Sequence, residues 1–311
     1  MPRRPLQRVQ AALVAKRYFI GRQTKSQIAD DLGLSRFKVA RLIDTAIEDG
    51  IVRFVIDEQS DLDAELAEAV RQKYNLKAAL ILQGSEMPAG DLIEPLGALA
   101  AQLLEETLVD GQLLGVAWGR TLAAAARAIT KLPAVDVIQA AGTPAGLEFS
   151  ISPSELLHRF GNLSGGAVYP VHGPMWAEDD RLMRHLREEP TIASVTARYN
   201  AIDVLVVGIG SWRPQDSCLS SSFPEEWKSD AIRQGVRADL CATLIDDQGR
   251  AVPSRLDDIG LALSTDQLRR IPEVIGVGGG LQKADAIAAV LRGGWIHTLV
   301  TDSAVARHLL A

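Results

Sequence analysis

Arg36, Lys38 and Arg41, with Ser35 and Phe37 beside them, form a short basic run that could donate hydrogen bonds to phosphate oxygens and to the edges of bases. Such chemistry requires the run to be held on one rigid face. The surrounding stretch Lys25–Leu42, KSQIADDLGLSRFKVARL, has the spacing to do this. Ala29 is small where two helices would touch, Gly33 can take the positive φ that ends a first helix, and Ser35 is a good N-cap for a second. Ile28, Leu32, Leu34, Val39 and Leu42 fall on the inner faces, and the basic run is left pointing outward. The pattern predicts a helix-turn-helix whose second helix enters the DNA major groove by its N-terminal residues. An ordinary helical hairpin is the plain alternative. Thr24, Lys25 and Gln27, at the start of the first helix of the pair, complete the candidate DNA-facing set.

A second set of residues could hold a small anionic or hydroxyl-bearing ligand. Gly115 to Thr121 runs from a strand straight into a helix: Gly119 allows close backbone approach, and Trp118, Arg120 and Thr121 stand at the helix start, where free N–H groups favour anions. Gly142 and Thr143 follow another strand, and Gly208 and Gly210 a third. Gly278, Gly279 and Gly280 follow a fourth, with Lys283 in the first turn of the next helix; the alternative there is a flexible connector and a solvated lysine. Asp239, expected to open its strand, and Asp302, expected to close one, could bind sugar hydroxyls or could be caps. His158, His172, His185, His297 and His308 have no metal-ligand spacing, nor do Cys218 and Cys241. No nucleophile elbow, phosphate-binding lysine loop or cofactor motif is present. Asp203, Asp239 and Lys283 are the candidates for a general base should the chain be an enzyme, and none lies in a catalytic motif.

The elements that would position these residues alternate. Apolar runs predict strands at Ala78–Leu82, Leu113–Ala117, Val135–Gln139, Val204–Ile209, Leu240–Ile245, Ile259–Leu263, Val274–Val277 and Thr298–Thr301. Amphipathic helices are expected at Leu6–Phe19, Leu62–Tyr74, Leu92–Leu108, Leu122–Lys131, Ser154–Phe160, Thr191–Tyr199 and Ala284–Leu291. Continuous apolar strands between helices imply an α/β fold with a mostly parallel sheet covered on both faces, in which ligands bind at the carboxyl ends of the strands. Asp49-Gly50 turns the head into Ile51–Ile56, the β-rich run of a winged variant, where Arg53 could meet a phosphate or be a solvated edge charge. Residues 1–56 are read as a winged DNA-binding head and 57–311 as an effector-binding and oligomerisation domain.

Charge divides the chain in the same way. Residues 1–56 carry 11 Lys/Arg against 5 Asp/Glu, whereas the remaining 255 carry 22 against 34. A basic head on an acidic body suits phosphate binding confined to the head. The N-terminus lacks the apolar run of a signal peptide and no stretch has the length of a membrane span, so a cytoplasmic protein is expected. With 47% hydrophobic residues and only 5% aromatics, alternating helices and strands are favoured over an all-β fold.

Four blocks in order and spacing resemble the SorC family of bacterial sugar-binding transcriptional regulators over essentially the whole chain: IADDLGLSRFKVARL with EDGIVRFVI, GVAWGRTL at 115–122, VVGIGSW at 206–212, and VGGGLQKADAIAAVLRGGWIHTLVTD at 277–302. The resemblance implies a body related to the sugar-phosphate isomerase and CoA-transferase-like α/β fold, no cofactor, a dimer or tetramer, operator DNA as partner and a sugar, polyol or sugar phosphate as effector. It implies a regulator of carbohydrate catabolism, more often a repressor, with a sugar-phosphate isomerase-like enzyme as the alternative. By motif, Trp118, Gly119, Arg120, Thr121, Gly208, Gly210, Asp239, Gly279 and Lys283 would belong to the effector pocket. The chain departs from the family at Ala141-Gly142-Thr143 and at Gly235–Asp239, where Arg237 either adds a phosphate contact or faces solvent.

Overall fold

The computed structural model describes residues 5–52, 62–83, 87–146, 148, 152–177 and 179–311. The chain divides into two compact units, Met1–Ser60 and Asp61–Ala311.

The first unit is helical. Helix α1 (Pro5–Ala15) runs on into a π turn at Lys16–Ile20, and α2 (Lys25–Leu32) and α3 (Arg36–Glu48) follow. Thr24 starts α2 with a reciprocal capping box to Gln27. Gly33 ends α2 at φ 62°, a left-handed conformation that costs a glycine little, and the Ser35 hydroxyl accepts from the Lys38 N–H to start α3. Ala11, Val14, Ile28, Ala29, Val39, Leu42, Ile43 and Ala46 close the core, each large aliphatic contributing about 1.5–3 kcal/mol on burial. Asp49-Gly50 turns as expected. Ile51 and Val52 form a bend rather than the start of a wing strand, because the Val52 N–H returns to the Ala46 carbonyl. Residues 53–56, Arg53 among them, lie outside the described residues.

The second unit opens with α4 (Ala64–Tyr74), β1 (Ala78–Leu82), α5 (Ile93–Thr107), β2 (Leu113–Val116), α6 (Arg120–Ala128), β3 (Asp136–Gln139), α7 (Pro153–Ser164) and β4 (Val168–Tyr169). Then come α8 (Asp180–Glu188), α9 (Pro190–Thr196), β5 (Val204–Gly208), β6 (Gly210–Trp212), β7 (Gln215–Asp216), α10 (Cys218–Ser222) and α11 (Glu225–Arg233). It closes with β8 (Val236–Leu240), β9 (Thr243–Asp246), α12 (Arg255–Ile259), α13 (Thr265–Arg270), β10 (Glu273–Val277), α14 (Ala284–Arg292), β11 (Thr298–Asp302) and α15 (Ser303–Leu310). Among the described residues seven strands form a sheet in the order β1-β11-β10-β5-β2-β3-β4, every pair parallel. All carboxyl ends therefore share one edge, and β10, β5 and β2 occupy its centre. Runs such as Val204-Leu205-Val206-Val207 are buried throughout, as helices on both faces require.

Two features fix the geometry at that edge. Helices α5 and α6 approach so closely that a Cβ on Gly97 would stand 2.7 Å from the Ala125 nitrogen, which pins α6 and the Arg120 at its start. Beyond Gly208 the chain leaves the parallel sheet and builds a second, antiparallel one, β7-β6-β8-β9, in which Gly210 pairs with Asp239. This corrects two expected strands. Leu240–Ile245 is broken by a turn at Cys241 (φ 45°) and Ala242 (φ 73°), so Asp239 sits near the end of β8 instead of opening a strand. Ile259–Leu263 begins as the last turn of α12 and continues as an extended segment that makes only isolated antiparallel bridges, Trp176 to Gly260 and Ala141 to Ala262, with Leu261 N–H to Met175 O and Leu263 N–H to Ala140 O, and joins neither sheet.

Candidate functional site

The glycine-rich turns converge on one cleft at the carboxyl ends of β2, β5 and β10. Trp118, Gly119, Arg120, Thr121, Gly208, Gly210, Asp239 and Lys283 line a single cavity there, and Gly279 lines a hollow next to it together with Arg120 and Lys283. Gly119 has φ 128° and ψ 167°, a region open essentially to glycine alone. That turn delivers Arg120 as the first residue of α6, with no side chain capping the helix start. Gly210 is equally constrained: a Cβ would lie 2.6 Å from Cγ of Asp239.

Asp239 is buried and accepts from the indole Nε1–H of Trp212 at 2.8 Å and from the Ser217 hydroxyl. Burial pushes its carboxyl above the usual range, opposed by those two hydrogen bonds and by the charge of Lys283. The Lys283 ammonium, its side chain only 15% exposed, donates to the Ile209 carbonyl at 2.9 Å and lies 3.7 Å from Asp216. Burial lowers its pKa, Asp216 raises it, and Arg120 lowers it further. Arg120 is paired with Asp216, to which Gln282 also donates at 3.4 Å. The thiols complete the wall: burial raises the pKa of Cys218 and pushes that of Cys241 up to about 12, so both are protonated and unreactive at neutral pH. The arrangement brings two cations, both beside Asp216, and the hydrogen-bonded carboxyl of Asp239 into one cavity.

Several expected members stand elsewhere. Gly115 is a packing glycine in β2, facing the side chains of Leu205 and Ile202. Gly142 and Thr143 bond to the loop at 173–175 and to Leu261, away from the cavity lining. Gly278 packs on Ile209, and the Gly280 N–H donates to Asp302, which also caps α15; these two shape the turn that presents Gly279 and Lys283. Arg237 is held by Asp247 and the Arg213 carbonyl, outside the cavity. Asp203, offered as a base, receives the Leu113 N–H at the amino end of the sheet, so it is remote from the strand ends where ligands bind. Sequence reasoning missed Asp216, Ser217 and Cys218. The signal was a polar Gln-Asp-Ser at 215–217, just beyond Arg213-Pro214 after the VVGIGSW block, but only the β6–β7 turn brings it over the strand ends.

In the head, Ser35, Arg36, Phe37, Lys38 and Arg41 are all exposed along the first turns of α3, Phe37 at 89%. Thr24 and Gln27 spend their oxygens on the capping box, leaving the Gln27 amide N–H₂ free to donate, and Lys25 lies over the Tyr18 ring. Among the described residues no helix is long and apolar enough to cross a membrane.

Comparison with known proteins agrees with this anatomy. A family model of the sugar-binding domain (Sugar-bind) matches residues 59–311. The chain is 29% identical over 308 residues to the transcriptional regulator LsrR of Escherichia coli (strain K12), covering 97% of this chain and 94% of that one. It is 25% identical over 305 residues to the sorbitol operon regulator of Klebsiella pneumoniae, covering 96% of each. The crystal structure of full-length SorC from Klebsiella pneumoniae matches its fold with a TM-score of 0.75 at 23% identity, over 97% of this chain and 98% of that one.

Proposed function

The chain belongs to the SorC family of sugar-binding transcriptional regulators, and from that premise we propose that this sugar-responsive regulator binds operator DNA through α3 and takes a sugar or polyol phosphate into the strand-end cleft. The observation that carries the ligand class is the meeting of Arg120 and Lys283 with Asp239 in one cavity. Two cations suit an anionic group, and a buried carboxylate with a raised pKa suits hydroxyls, which can donate to it. Arg36, Lys38 and Arg41, with Ser35, would make the base and phosphate contacts; one helix pair per half-site is weak, so a homo-oligomer reading spaced half-sites is part of the proposal. Regulation of a carbohydrate operon follows the name of the sorbitol operon regulator, and action as a repressor is part of the proposal. The effector must prefer one arrangement of the protein, because equal binding to both would shift nothing.

We read the body as a sensor rather than an enzyme. Of the three groups that could act as a base, Asp203 is at the wrong edge, Asp239 is already engaged by two donors, and the Lys283 ammonium is engaged by the Ile209 carbonyl and Asp216. A thermal-shift screen of sugars, polyols and their phosphates tests the ligand class. Stabilisation by phosphorylated compounds, lost in Arg120→Ala, is the expected result; stabilisation by free polyols alone would refute the anion assignment.

A further inference from the structure

Asp216 and Ser217 are neighbours in sequence, and they engage different groups of the cleft. The Asp216 carboxylate lies among three donors: the Arg120 guanidinium, the Lys283 ammonium at 3.7 Å and the Gln282 amide at 3.4 Å. The Ser217 hydroxyl donates to Asp239. One short piece of chain thus presents an anion to the cations and a hydroxyl to the carboxylate, the same pair of groups that a polyol phosphate or a hydroxy acid carries.

Space points the same way. The enclosed part of the cavity measures about 60 Å³, whereas sites for small molecules usually run to about 300–1,000 Å³. Two larger hollows, about 260 and 500 Å³, lie alongside, and Arg120 and Asp216 line all three. The ion pair is thus common to all three. An anion entering with Asp216 in place would meet a carboxylate already neutralising its cations, a like-charge conflict in a partly desolvated site.

The elements that carry the pair are short. Strand β7 is two residues long and pairs with β6, and α10 is five residues long, anchored in the core by Leu219, with its first turn capped by Ser217 itself through the Ser220 N–H at 3.1 Å. The bonds that tie Asp216 and Ser217 into the cleft are those of their own side chains to Arg120, Lys283, Gln282 and Asp239.

We propose that Asp216-Ser217 is a built-in substitute for the effector: it fills the two anchor points, and an anionic, hydroxyl-bearing effector binds by exchanging with it, which releases the cap of α10. This rests on the reading of the cleft as the effector site and adds how that site is regulated. The affinity of the wild type is then reduced in proportion to how rarely the segment is out of the way, so a segment withdrawn one-tenth of the time costs about tenfold.

The test uses calorimetric titration of the full chain with inorganic phosphate and with glycerol 3-phosphate, in the wild type, Asp216→Asn, Asp216→Ala and Arg120→Ala, each checked for an intact thermal transition. Both Asp216 variants should bind about tenfold more tightly than the wild type. Hydrogen exchange supplies a readout that simple removal of a repelling charge would not move. In the wild type saturated with glycerol 3-phosphate, the amides of Ser220 and Ser221, now bonded to Ser217, should exchange faster. Equal or weaker binding by the Asp216 variants overturns the proposal, as does slower exchange at Ser220 and Ser221, or no binding by any variant. If Arg120→Ala binds both probes as the wild type does, the anions bind elsewhere and the reading of the cleft itself fails, whatever Asp216 does.

Discussion

Gly208 closes β5 and Gly210, two residues on, opens β6, yet they should respond to alanine very differently. A Cβ on Gly210 would stand 2.6 Å from Cγ and 2.7 Å from Oδ2 of Asp239. The carboxyl cannot retreat freely, since Trp212 and Ser217 both donate to it. Overpacking of this kind costs about 1–3 kcal/mol. Weakening one hydrogen bond to a charged group adds about 1.5–3 kcal/mol. Together these give about 2.5–6 kcal/mol, which at about 2–4 °C per kcal/mol lowers the melting temperature by about 5–24 °C. A Cβ on Gly208 would meet only the Trp118 carbonyl, at 3.7 Å, an ordinary contact, so Gly208→Ala should melt within about 2 °C of the wild type. Calorimetric melting of both variants is the assay. Should the two melt together, Asp239 is not clamped in the way described, and the electrostatic account of the site goes with it.

Arg36→Ala should weaken binding to a specific operator about 5- to 150-fold, the equivalent of about 1–3 kcal/mol for one base contact, while melting and effector binding stay as in the wild type; gel retardation with parallel thermal shift checks this. Lys283→Met keeps the volume of the side chain and removes the buried ammonium, so phosphate-induced stabilisation should vanish. Its pH dependence has a definite sign: the folded pKa of Lys283 lies below the ordinary 10.5, so the unfolded chain holds more protons in that interval, and wild-type stability should rise relative to Lys283→Met as pH climbs through it. Urea denaturation of both proteins across that range measures the difference, and an unchanged or falling difference would show that Lys283 is not desolvated.

Much of the scaffold was legible because local chemistry and tertiary need agree. Thr24, Gly33 and Ser35 are cap residues whose roles depend only on neighbours within four positions, and all three act as caps. The runs Ala78–Leu82 and Val204–Val207 are apolar on both faces and form strands of the parallel sheet. Elsewhere local signals misled. Leu240–Ile245 reads as one apolar strand because Cys241 and Ala242 adopt positive φ without a glycine or asparagine to announce it. Helix α8, Asp-Arg-Leu-Met-Arg-His-Leu-Arg-Glu, carries only three apolar residues among nine and buries only Met183, so its strongly polar composition hides it from an apolar reading. In the cleft, Arg120 and Lys283 carried their own signature, a glycine turn entering a helix. Asp216 and Ser217 had only a short polar run: their place depends on the excursion of β6 into a second sheet, a long-range arrangement that no short window contains.

The central claim is that one chain couples a DNA-reading head to a body that senses a sugar-like anion. Its most direct measurement is the affinity of the full chain for promoter fragments of carbohydrate genes, at fixed low and moderate salt, with and without a compound that stabilises the wild type but not Arg120→Ala. The account predicts a preferred fragment whose affinity changes at least about fivefold, the lower end of ordinary allosteric coupling, when that compound is added. A protein that prefers no fragment, or whose operator affinity is indifferent to a compound bound in the cleft, would contradict it.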